Sequence, residues 1–165
     1  MAFEICPMEL KYAQGRGYVH FAAWRETYSE LMDERFLRAQ PLEACVGCAR
    51  AHPDDGFVAL AEDEVVGFVR LNRTARDFVS VPGAAEIVAL YVLRAYQGQG
   101  IGTALLGRCL AECPKRDLAL FVLSGNERAI RFYERRGFRF TGKALTEERE
   151  GAQITELEMV RRCEA

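Results

Sequence analysis

The hydrophobic positions of this 165-residue chain change period several times, and each change predicts an element. In VHFAAWRETYSELM, Phe21, Trp24, Tyr28 and Leu31 recur every three or four residues, the spacing of a helix with one apolar face. Two shorter helices are predicted at 32–39 and 42–51, divided by Pro41. From residue 57 the pattern shortens. Segments 57–61 and 65–72 read as strands, and the acidic turn Glu62-Asp63-Glu64 between them predicts a hairpin. Residues 75–84 read as a loop and 86–93 as a strand rich in Val, Leu, Ile and Tyr. A helix over 100–113 carries Ile101, Leu105, Leu106, Cys109, Leu110 and Cys113 on one face, and Pro114 stops it.

The apolar run 118–123 is unbroken, as in a central strand covered on both sides. Asn126 is placed to cap a helix over 127–136, which Gly137 can end. Residues 138–142 and 154–160 read as the last strands, with the polar stretch TEEREGAQ as the connection. A weaker strand falls at 3–6. Helices, a hairpin, then strand–helix–strand–helix–strand–strand describe a single mixed α/β domain with a parallel crossover in its middle.

Composition narrows the function. Hydrophobic residues make up 50% and charged residues 28%, as in an ordinary globular domain, and a net charge of −2 gives no electrostatic footprint for nucleic acid. The first ten residues, MAFEICPMEL, lack a basic region followed by a long apolar stretch, and no apolar run has the length of a membrane span. The expectation is a cytoplasmic protein with no membrane or nucleic-acid partner. Its six cysteines are then expected to be reduced thiols.

Residues 97–102 read Gln-Gly-Gln-Gly-Ile-Gly, between the strand at 86–93 and the helix at 100–113. Glycines at a helix N-terminus let an anion approach the unpaired N–H groups and the positive end of the helix dipole. Three phosphate loops compete. A P-loop needs Gly-Lys-Ser/Thr, and this loop ends Gly102-Thr103 without lysine. A dinucleotide fingerprint needs Gly-x-Gly-x-x-Gly, but counting from Gly98 puts Thr103 at the third glycine, and counting from Gly100 puts Leu105 there. The pattern Gln/Arg-x-x-Gly-x-Gly/Ala is met in full by Gln97, Gly100 and Gly102.

That motif resembles the pyrophosphate loop of the GNAT superfamily, the acetyl-CoA-dependent N-acetyltransferases. The segment GNERAIRFYERRGFRFTG strengthens the resemblance, with Asn126, Ala129, Phe132-Tyr133-Glu134 and Gly137-Phe138 in the family's order and at its distance from the loop. The resemblance spans about 84–142 and is weaker over 3–72. It implies the GNAT fold: a mixed, mostly antiparallel sheet of six to seven strands with a central splayed parallel pair and helices on both faces. It also implies acetyl-CoA as co-substrate, no metal, and direct transfer to a primary amine; relatives are often homodimers.

Transfer from a thioester to an amine asks for three things. Only about one alkylamine in a thousand is neutral at pH 7, so a base or a desolvating pocket is needed. The tetrahedral oxyanion needs a donor, and the leaving thiolate needs a proton. The resemblance assigns the last role to Tyr133, although Tyr133 shares a helical face with Ile130 and reads equally as a core aromatic. It assigns the oxyanion N–H to Leu90 and pantetheine pairing to the backbone of strand 86–93, Leu90, Tyr91, Val92, Leu93 and Arg94 among them. Gln97, Gly98, Gln99, Gly100, Ile101, Gly102 and Thr103 would hold the pyrophosphate, and Asn126 would bond pantetheine, cap its helix, or do both. Glu86, fourteen residues before Gly100, resembles the general base of histone-type members and reads equally as a charged residue at a solvated strand end, in which case a water chain would serve as the base. Arg128, Arg131 and Arg135 share one helical face and read as solvated rather than as a phosphate grip.

Other constellations carry less. Cys45, Cys48 and His52 have metal-type spacing but no evident fourth ligand, and Cys109 and Cys113 read as core. No Gly-x-Ser-x-Gly is present for a serine hydrolase. The acceptor is not encoded in a motif. Acidic residues at 26–34 and 147–150 read either as a lure for a cationic amine or as a solvated charged surface, and Arg70 and Arg73 would equally suit a carboxylate-bearing acceptor. The rival class is a non-catalytic acyl-CoA-binding module on the same fold.

Overall fold

The computed structural model describes residues 2–164. Seven strands form one sheet in the order β1-β2-β3-β4-β5-β7-β6. They are β1 (Glu4–Pro7), β2 (Phe57–Ala61), β3 (Glu64–Asn72), β4 (Ala85–Val92), β5 (Leu118–Leu123), β6 (Arg139–Arg149) and β7 (Ala152–Arg161). Every neighbouring pair is antiparallel except β4 and β5. The five helices are α1 (Ala13–Tyr28), α2 (Glu34–Arg38), α3 (Leu42–Ala51), α4 (Ile101–Glu112) and α5 (Glu127–Glu134).

The apolar faces read from the sequence sort onto the two sides of the sheet. Ile101, Leu105, Leu106 and Cys109 of α4, with Ile130 and Tyr133 of α5, pack on Val69, Leu71, Ile87, Leu118, Leu120 and Met159. On the other side Val19 and Ala23 of α1 meet Val58, Leu60 and Phe68. Farther along that side Trp24 packs with Phe36, Leu37, Leu123 and Ile154. The long β3–β4 loop covers the remainder, with Val81 and Ala84 against Ala119 and Val160.

Strands 57–61 and 118–123 lie where the pattern predicts them. The largest departure is the last hairpin. TEEREGAQ is no loose connection: Thr146↔Thr155, Glu147↔Ile154, Glu148↔Gln153 and Arg149↔Ala152 all pair, and Glu150 and Gly151 make the turn with φ of 49° and 77°. The arm is solvated on most of its surface, so its side chains carry no apolar alternation for a period to reveal.

The central parallel pair is short. β4 and β5 are joined only at Ala85↔Leu118, Glu86↔Ala119 and Ile87↔Leu120, whereas the β3–β4 ladder runs on to Gly67↔Val92. Its register slips so that Ile87 faces Leu71 and Ala89 faces Arg70, which leaves Val88 as a bulge. Beyond the bulge β4 and β5 diverge.

Candidate active site

A cleft of about 810 Å³ opens where the two strands part. β4 lines it from Ile87 to Val92 and β5 from Leu120 to Leu123; the glycine loop closes one end together with α5. The cleft therefore gathers the segments that the sequence singled out separately.

The β4 edge facing the gap has free backbone groups. Leu93 donates its N–H to the Val66 carbonyl on β3 at 3.0 Å. Backbone direction alternates along a strand, so Tyr91 also faces β3 while Leu90 and Val92 face the gap. The Leu90 N–H thus points into the gap. The Val92 carbonyl accepts from Gln97 Nε2 at 2.8 Å, which ties the glycine loop to the strand end, and Gln97 Oε1 is buried without a partner.

Gly98 and Gly100 have φ of +77° and +87°, the left-handed region that glycine enters without strain. Gly100 is the N-cap of α4, and a Cβ built on either glycine would meet nothing within 4 Å. The loop is a bare, open cradle over the first turn of a 12-residue helix. Its geometry, with N–H groups at the helix start and no side chain in the way, fits a bound diphosphate. Thr103, in that first turn, accepts a hydrogen bond from the Arg136 guanidinium, which also stacks 3.7 Å above the Phe132 ring centre. Arg136 Nε is buried and unpartnered. Arg136 lines the cleft together with Arg128, Arg131 and Arg135. The sequence reading left that helix face to solvent and passed over Arg136, because nothing local shows that α5 runs beside the loop.

Tyr133 is 8% exposed and lines the cleft. Phe132 and Phe138 hold its ring edge-on, at 5.1 and 5.4 Å between centres. It belongs to the core and to the cleft wall at once. Burial, then the nearby Tyr28, pushes its phenol above the ordinary range and keeps it protonated. Asn126 lines the cleft too, and its Oδ1 caps α5 by accepting the Ala129 N–H at 3.2 Å.

Glu86 corrects the sequence expectation. It is fully buried and does not line the cleft. Its carboxylate takes the Arg76 Nε at 3.0 and 3.1 Å, the Arg76 Nη2, and the Arg76 backbone N–H at 3.1 Å. A carboxylate so occupied holds the β3–β4 loop and has no lone pair turned to a substrate. Glu158 does the same work farther along, accepting the Ser80 N–H at 2.7 Å and the Ser80 and Thr141 hydroxyls.

Arg70 and Arg73 also stay away from the cleft. Arg70 lies beside His52 and Asp55, and Arg73 bonds Glu112 at 3.0 Å. The acidic residues of 26–34 are partly spent locally: Glu26 accepts the Arg94 N–H, Asp33 caps α2, and Glu34 pairs with Arg38. Cys45 is buried in α3, and among the described residues no group of three or more His, Cys, Asp or Glu is arranged to hold a metal. No described helix is long and apolar enough to cross a membrane. The acid that does reach the cleft is Glu156 on β7, together with Tyr28 of α1. Neither the motif nor the acidic clusters pointed to Glu156.

Fold and cleft together define an acyl-CoA-dependent transferase. Residues 14–138 match the model of the acetyltransferase (GNAT) family, and the chain belongs to that family. It is 24% identical over 140 residues to a probable N-acetyltransferase of Mycobacterium tuberculosis, covering 78% of this chain and 75% of the relative. It is 30% identical over 112 residues to an uncharacterized N-acetyltransferase of Archaeoglobus fulgidus, covering 66% of this chain and 76% of that one. Among solved structures it is similar to the PaiA N-acetyltransferase of Thermoplasma acidophilum in complex with coenzyme A. The TM-score is 0.73 with 21% identity, over 98% of this chain and 99% of that one.

Proposed function

We propose that the protein transfers the acetyl group of acetyl-CoA directly to a primary amine in a ternary complex. One observation carries this reading: the glycine cradle, the unpaired β4 edge and the Tyr133 phenol open into one continuous cleft. The N–H groups at the start of α4 would bind the diphosphate, with Gln97 and Thr103 ordering the loop. The gap-facing edges of Leu90 and Val92 would pair with the pantetheine amides as an added strand, which sets the thioester carbonyl beside the Leu90 N–H. That N–H would stabilise the oxyanion as the amine adds. Tyr133, protonated and held by two phenylalanines, would supply a proton to the departing sulfur. Direct transfer is supported further by the cysteines: burial raises Cys109 to about 12 and also raises Cys45 and Cys113, so none of these is poised to carry an acetyl group.

The test is thiol release from acetyl-CoA with a panel of amines, set beside calorimetry of acetyl-CoA binding. Amine-dependent release with acetyl-amine as product supports the reading. Tight binding with no release for any amine would leave an acyl-CoA-binding module instead.

A further inference from the structure

The cleft has a second end, away from the glycine loop. There it is lined by Tyr28 from α1, Tyr91 from β4, Phe121 from β5 and Glu156 from β7. The Tyr28 and Tyr91 hydroxyls stand 3.5 Å apart. Glu156 is the sole carboxylate lining the cleft among the described residues. It lies on the same face of β7 as Ile154 and Glu158, but its situation differs from that of the neighbouring acids. Glu86 is consumed by Arg76 and Glu158 by Ser80 and Thr141, while no hydrogen bond or ion pair among the described residues occupies the Glu156 carboxylate. A half-buried, unpaired carboxylate walled by aromatic rings is a costly arrangement unless a cation completes it.

Resting on the transferase reading, we propose that Glu156 receives the ammonium of a primary alkylamine acceptor and takes its proton, with Tyr28, Tyr91 and Phe121 enclosing the adjoining carbon. The bookkeeping closes. One ammonium proton passes to the Glu156 carboxylate. The freed lone pair forms the C–N bond at the thioester carbonyl, and the C–S bond breaks as the oxyanion collapses. The sulfur takes its proton from Tyr133, which recovers one from the nitrogen, and Glu156 returns its proton to water. One proton is released per turnover.

The surroundings suit a base. Burial raises the Glu156 carboxyl above the ordinary carboxylate range. Arg149 of β6 and Arg76 of the β3–β4 loop oppose the rise, Glu147 of β6 and Glu86 of β4 add to it, and the phenols of Tyr28 and Tyr91 also face the group. The carboxylate is thus more basic than a solvated one. The same carboxylate disfavours an acceptor carrying an anion beside its amine.

The experiment compares wild type, Glu156→Gln and Glu156→Asp with a primary alkylamine and with an arylamine, which is already neutral at pH 7. Glu156→Gln should lower kcat for the alkylamine about 100-fold or more and abolish the acid limb of the pH profile. It should leave acetyl-CoA affinity within about twofold. Any arylamine turnover should fall far less, and Glu156→Asp should recover part of the alkylamine rate. An unchanged kcat or a retained acid limb in Glu156→Gln overturns the assignment, as does a rise in KM alone. If Glu156→Gln fails to bind acetyl-CoA, the wild-type profile decides, and the absence of a limb above 4.5 overturns it. Wild type that binds acetyl-CoA but acetylates no amine removes the transferase reading itself, and this assignment with it.

Discussion

Arg76 folds back across ten residues to close on Glu86, placing its guanidinium and its own backbone N–H on one carboxylate. The pair fixes the start of the β3–β4 loop, which Ser80 fastens again at Glu158. Phe78, between the two anchors, reaches the ring of Phe121 in the cleft wall at 5.6 Å. Arg76→Ala leaves a buried carboxylate with one remaining donor. Because the arginine itself is 43% exposed, the loss should fall below that of a fully buried pair, at about 2 kcal/mol. Urea denaturation measures it, and a midpoint equal to wild type would show that the pair does not secure the loop.

Gly100 caps α4 in a left-handed conformation, with open space where its Cβ would stand. Gly100→Val adds backbone strain of about 1–2 kcal/mol and puts a branched side chain into the diphosphate cradle. Acetyl-CoA affinity by calorimetry should drop at least about tenfold. Undiminished affinity would take the diphosphate away from this loop.

Tyr133→Phe keeps the ring between Phe132 and Phe138 and deletes the donor. Turnover should fall about 100-fold with acetyl-CoA affinity nearly unchanged, because the proton matters only as the C–S bond breaks. Full activity across the pH range would exclude Tyr133 as the acid.

His20 lies on the far side of Tyr91, stacked at 5.5 Å, and burial followed by the charges of Arg16 and Arg70 lowers it to about 4. Its folded value lies below the ordinary 6.5 of a histidine, so between these values the unfolded chain binds the extra proton. Stability should therefore fall as pH drops from 6.5 toward 4, by at most ~3 kcal/mol from this group. In His20→Phe that portion of the slope should vanish when melting is followed against pH. An unchanged slope would mean that His20 titrates normally.

The contrast between Gly100 and Glu156 shows what the sequence could disclose. A left-handed backbone at a helix start nearly demands glycine, so the loop announces itself in its residue types. The run Leu118–Leu123 is legible for a similar reason, since a strand covered on both faces must be apolar throughout. Glu156 and Glu158 stand in the alternating stretch Ile-Thr-Glu-Leu-Glu-Met-Val, where local pattern sends glutamates to solvent. The β3–β4 loop, seventy-odd residues earlier, covers that face and turns Glu158 into an anchor. No period in β7 records that cover. Arg136 was hidden in the same way, its neighbour Thr103 being supplied by a different helix.

The divergence of β4 from β5 has a mechanical side. Past Ile87 the two halves of the sheet share no ladder, and apart from the Val92 carbonyl, which Gln97 satisfies, the facing N–H and C=O groups are left to solvent. An elongated ligand carrying amides would act there as mortar between two slabs, stitching β1–β4 to β5–β7. Melting temperature should then climb with acetyl-CoA concentration well beyond saturation of the cleft, as mass action requires. A CoA fragment lacking the pantetheine arm should give only a small part of that gain.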